Sequence, residues 1–65
     1  MIELTRLNDE QITLNAELIE SIEATPDTLL TLTTGRKVIV KESIEEVIIK
    51  TIAYKKRIFN EFFVY

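Results

Sequence analysis

Residues Ile22–Ser43 constrain this chain more than any other stretch, because two turns, a hairpin and a helix start fall within them. The only proline, Pro26, sits in Thr25-Pro-Asp-Thr28, where its fixed φ suits the first central position of a turn and its missing N–H ends a strand. Asp27 can bond its own backbone and reinforce the reversal. The only glycine, Gly35, lies in Thr34-Gly35-Arg36 between Leu29–Thr33 and Lys37–Lys41, where positive φ costs it nothing. These segments predict a hairpin with Leu30, Leu32, Val38 and Val40 on its inner face. Leu29 and Ile39 then fall on the outer face, which is therefore not wholly polar.

Upstream, Ile2–Leu7 and Ile12–Ala16 alternate apolar and polar residues around the turn-rich Asn8–Gln11, predicting a first hairpin. Ile2, Leu4, Ile12, Leu14 and Ala16 point to the core. Leu7 falls on the wrong face, so a bulge re-aims it or it packs under a turn. Asn15 suits the N-cap of a single helical turn over Ala16–Ile19, and Ser21–Ala24 reads as a third strand.

Downstream, Ser43-Ile-Glu-Glu46 fits a capping box, in which the Ser43 hydroxyl and the Glu46 carboxylate each accept the other residue's N–H. Ile44, Val47, Ile48, Thr51, Ile52, Lys55, Ile58 and Phe59 follow helical spacing, predicting a helix over about 44–60 and an apolar tail over 61–65. One domain spanning 1–65 results: an α+β fold, with a small antiparallel sheet or open barrel of about five strands followed by one amphipathic helix.

A chain of 65 residues buries only about 60% of the surface it exposes when unfolded, so its stability margin is thin. Disulfides and a thiolate or imidazole zinc site are excluded, since the sequence has no Cys and no His. Association is the remaining remedy, and a homo-oligomer is expected. Lack of cysteine fits the cytoplasm. Without a cationic-then-apolar leader or an apolar run of about 20 residues, the chain reads as soluble, unprocessed and not membrane-spanning.

Charge is unevenly placed. Residues 1–35 hold one cation, Arg6, against seven acids, whereas 36–57 hold seven cations against three acids. Lys50, Lys55, Lys56 and Arg57 form a candidate basic helix face with Tyr54 among them. Cations late in a helix are ordinary dipole partners, and the net charge of −3 argues against a nucleic-acid ligand. The acids Glu42, Glu45 and Glu46 cluster at the helix start, where they suit the dipole better than catalysis. With no histidine, Ser43 engaged as a cap and a lone glycine unable to cradle phosphate, the chain reads as a non-enzyme without cofactor or small-molecule substrate.

The C-terminal Ile58–Tyr65 carries three Phe and one Tyr, an unusual concentration for a helix exit. Either these rings close the monomer core, or another chain covers them. Ile49, Phe62, Phe63 and Tyr65 are accordingly candidate interaction residues.

Taken together, residues 1–8, 14–28 and 32–43 and the helix to about Ile58 resemble the FlbD/SwrD family of small flagellar proteins. Thr25-Pro-Asp-Thr28 together with Lys41-Glu-Ser43 is the most specific part of the likeness; Asn60–Tyr65 lies beyond it. The resemblance implies a bacterial cytoplasmic accessory factor of flagellar and swarming motility, peripheral to the motor. It further implies protein–protein interaction with motor or stator proteins, and no catalysis or cofactor. A second likeness is carried by Met1-Ile-Glu-Leu-Thr-Arg6, which is similar to the first strand of the carbon storage regulators, small RNA-binding proteins. That likeness implies that Arg6 contacts RNA, yet the acidic Asn8-Asp-Glu10 stands where a basic, glycine-containing turn is expected.

Overall fold

The computed structural model describes residues 1–63, with side chains described through Ile58. Strands β1 (Ile2–Thr5) and β2 (Gln11–Leu14) form an antiparallel hairpin in which Ile2 faces Leu14 and Leu4 faces Ile12. Its turn is closed by Arg6 N–H donating to the Glu10 carbonyl at 2.8 Å, and Asn8 Oδ1 accepts from Glu10 N–H at 3.1 Å. Asp9 takes φ 68°, a left-handed conformation that Asp tolerates better than most residues. Leu7 neither bulges inward nor packs beneath this turn, contrary to expectation. It is 48% exposed, because the reversal has already begun at Arg6 and carries the chain away from the core.

Asn15 caps a 3-10 turn over Ala16–Leu18, its Oδ1 accepting from Glu17 N–H at 3.0 Å. A meander follows: β3 (Ile19–Ala24), β4 (Thr28–Leu32) and β5 (Lys37–Val40), all antiparallel. β3 starts at Ile19, two residues earlier than the pattern implies, because a bulge between Ile19 and Ser21 restores the inward register. The two sheets meet where Arg6 bridges to Val40 and Lys41 N–H donates to the Thr5 carbonyl at 2.7 Å. The fold is therefore α+β, with five antiparallel strands in two small sheets, no closed barrel, and one C-terminal helix.

The core consists of Ile2, Leu4, Ala16, Leu30, Leu32, Val38, Val40 and Val47, with Ile12, Leu14, Ile19, Ile22 and Tyr54 packed around it. All four inner residues expected from the second hairpin are in it. Helix α1 (Ile44–Phe63) packs on β1 and β3 and contributes the fully buried Val47. Twenty helical residues reach about 30 Å, which accounts for most of the 43 Å long axis of the molecule.

The helix is rolled relative to the stripe read from periodicity. Val47, Thr51, Tyr54 and Ile58 are buried or half-buried, whereas Ile48 and Ile52 are 43% and 49% exposed and Lys55 is exposed too. Spacing alone puts Val47 at one edge of the stripe, with Ile48 and Ile52 inside it and Tyr54 off it. The contact with β1 favours the side that carries Tyr54.

Gly35 adopts φ 88°, and nothing lies within 4 Å of the position a Cβ would take. Its role is therefore conformational. Gly35→Ala should lower the urea midpoint by an amount equivalent to about 1–2 kcal/mol, and Gly35→Asn should lose less, because Asn enters the left-handed region more readily.

Candidate functional site

The three-residue link between β5 and α1, Lys41–Ser43, carries the most connected side chain among the described residues. Glu42 turns back from the helix start onto the end of β1. Its Oε1 accepts from Thr5 N–H at 2.8 Å and its Oε2 from the Thr5 hydroxyl at 2.9 Å. The Lys50 ammonium stands 3.9 Å from Oε2 and donates to the Glu3 carbonyl at 2.7 Å. Only 11% of the Glu42 side chain is exposed. Burial alone would raise the pKa of its carboxyl. The Thr5 N–H, the N–H of Glu42 itself, the Thr5 hydroxyl and Lys50 outweigh that effect and hold it below the ordinary carboxylate value. Glu42 is thus a clasp between strand and helix, in contrast to its neighbours. Glu46 completes the capping box, accepting from Ser43 N–H at 3.3 Å while its own N–H donates to Ser43 Oγ at 3.1 Å, and Glu45 is exposed.

With Glu42 turned inward, Thr25-Pro-Asp-Thr28 and Lys41-Glu-Ser43 are brought side by side. Pro26, Asp27 and Thr28 face Lys41, Ser43 and Glu45 across an open groove of about 570 Å³. Thr25 N–H donates to the Asp27 carbonyl at 2.8 Å, which shapes the turn, and Thr28 is buried. Lys41 reaches the other way and pairs with Asp9 in the first hairpin turn. The groove offers the carboxylates of Asp27 and Glu45 and a capped helix start. Such groups can bind a polar surface but do not make a nucleophile–base pair. Among the described residues no three His, Cys, Asp or Glu side chains gather as a metal site.

The remaining candidate residues are dispersed. Lys50 and Arg57, seven residues apart, lie on the β1 side of the helix near Met1 and Tyr54. Lys55 lines a different groove on the β3 side, and Lys56 is exposed. Lys50 is engaged with Glu3 and Glu42, and the four cations do not share a face. Ile49 is 64% exposed. Phe62, Phe63 and Tyr65 lie outside the residues whose side chains are described. Arg6 is half-buried, its Nε enclosed without a hydrogen-bond partner among the described residues, and it shares a shallow concavity of about 380 Å³ with Arg36 and Lys37. The sequence contained no signal for the Glu42 clasp beyond the acid itself.

The depressed carboxyl pKa of Glu42 has a defined pH signature. Its stabilisation is fully present above the unfolded carboxyl value, about 4.3, and is lost as pH falls through the folded value. Glu42→Ala should cost about 1–3 kcal/mol at pH 7, because it strands Thr5 N–H, and Glu42→Gln should cost less. Urea melts at pH 7 and pH 3 should show the gap between wild type and Glu42→Gln shrinking at the lower pH; a constant gap would refute the ionised clasp.

Comparison with known proteins gives one match. A family model, FlbD, described as flagellar and swarming motility proteins, covers residues 1–59. No curated protein and no solved structure matches the chain. The matched span includes both sides of the groove, the Glu42 clasp and the helix through Phe59.

Proposed function

Because the chain belongs to the FlbD family of flagellar and swarming motility proteins, we propose that it is a non-enzymatic accessory protein of flagellar motility. It supports the motor or its stator units through protein–protein contacts, from the cytoplasm and at the motor periphery. The family match over residues 1–59 carries this reading. Several features support it. Glu42 and Glu46, two of the three acids near the helix start, are committed to structural bonds, which leaves little for catalysis. Among the described residues no helix is long and apolar enough to cross a membrane. The dispersal of Lys50, Lys55, Lys56 and Arg57 weakens the nucleic-acid alternative, since phosphate binding relies on clustered cations.

Deleting the gene in a flagellated host should impair swarming and motor torque while filaments still assemble. Unchanged motility in viscous medium would sink the proposal, and loss of filaments would point to a structural role instead. The same reading includes homo-oligomerisation through the outer helix face at Ile49. Ile49→Asp should lower the sedimenting mass while leaving the melting temperature unchanged; sedimentation of the intact chain as a monomer would remove this part alone.

A further inference from the structure

A second groove lies between β3 and α1, away from the turn–helix junction. One wall is the outer edge of β3, which pairs with β4 on its other side; Ile19 N–H is taken by the Ala16 carbonyl, and Ser21–Ala24 have no further backbone partner among the described residues. The opposite wall is the helix face left outward by the roll of α1: Ile48 and Ile52, with half-buried Ile44 and Thr51. Ile19 and Ile22 form the floor of a space of about 490 Å³. An open strand edge beside an apolar wall is the arrangement that accepts an added strand. Backbone bonds give it affinity, and alternate side chains enter the apolar space.

Charge identifies the occupant. Glu20 stands at the β3 bulge and lines the groove, with Lys55 of α1 on the opposite wall, and Glu17 and Glu23 flank it, so three exposed acids stand against one cation. No ion pair engages these three carboxylates among the described residues. A second copy adding its own β3 would set Glu20 and Glu23 against the same acids, and like charges across a strand pair are destabilising. Of this chain's own cations, Lys50, Lys55, Lys56 and Arg57 are on the helix, and β5, which carries Lys37, has its outer edge engaged by the Arg6 bridge to Val40 and by the bond from Lys41 N–H to the Thr5 carbonyl.

We propose that the β3–α1 groove binds an extended, basic segment of a partner protein by strand addition, with apolar residues alternating with Lys or Arg. This inference rests on the reading of the chain as a binding module and supplies the chemistry of its partner.

The test titrates the isotope-labelled full chain with a short synthetic peptide alternating valine and lysine, read by amide shifts and hydrogen exchange. Expected are shifts and new protection over Ile19–Ala24, together with shifts at Ile48 and Ile52. A peptide with glutamate in place of lysine should not bind, and one with proline at the alternate positions should lose the protection. Glu20→Lys combined with Glu23→Lys, at exposed positions, should weaken the lysine peptide about tenfold or more.

Equal binding of the acidic peptide, shifts mapping elsewhere, or no shift at millimolar peptide would overturn the proposal. So would concentration-dependent protection of β3 in the peptide-free chain, which would assign the groove to a second copy. None of these outcomes touches the motility reading, which the deletion strain tests separately.

Discussion

The bond between Glu42 and Thr5 is the constraint on which the rest of the arrangement depends. Two small sheets that share only a corner have few ways to hold a fixed relation to each other. The Arg6–Val40 bridge and the Lys41-to-Thr5 bond supply one connection. The Glu42 carboxylate adds a second by accepting both Thr5 donors across 37 residues of sequence. A charged acceptor with two donors is stronger than a neutral pair, and its low exposure keeps water from competing. Because Glu42 lies immediately before the Ser43 cap, the same contact sets where α1 begins and how it leaves the sheet.

The roll of the helix follows from that anchoring. Lys50, two turns into α1, reaches back to the Glu3 carbonyl, so the helix is tied to β1 at two levels. The side that bears Tyr54 and Ile58 is drawn inward. Ile48 and Ile52, which the spacing placed on the buried stripe, are left facing the open edge of β3. The groove there results from the helix favouring one sheet over the other, and a small core explains why it can. Among the described helix side chains Val47 alone is fully buried, which limits how firmly their apolar burial fixes the rotation.

What was legible in the sequence is what local chemistry determines. Pro26 and Gly35 located two reversals, Asn15 the single turn and Ser43 with Glu46 the helix start; each acts within a few residues, so spacing alone reveals it. The inward set Leu30, Leu32, Val38 and Val40 was legible because a strand alternates regardless of its partners. Glu42 was illegible as a clasp, since an acid before a helix looks the same whether it serves the dipole or a strand 37 residues away. Leu7 misled for a related reason: alternation assigns a face only while the strand continues, and β1 had already ended at Thr5. The candidate groove was half legible. Thr25-Pro-Asp-Thr28 and Lys41-Glu-Ser43 stood out as motifs, but only the fold of β4 against β5 makes them neighbours.

The charge division along the chain is reshaped by folding in a way that bears on binding. Of the cations in the later half, Lys41 pairs with Asp9 and Lys50 with the Glu3 carbonyl and Glu42, so both are directed toward the acidic first hairpin. They offset charge where the chain joins its own halves. The acids of the 3-10 turn and β3 receive no such partner among the described residues, and only Lys55 stands across their groove. Folding thus leaves three carboxylates without an ion pair among the described residues beside a strand edge that lies next to an apolar helix face. In an acidic chain of 65 residues this edge is protected from self-pairing by the same carboxylates that would favour a cationic partner, so one feature serves both solubility and selectivity.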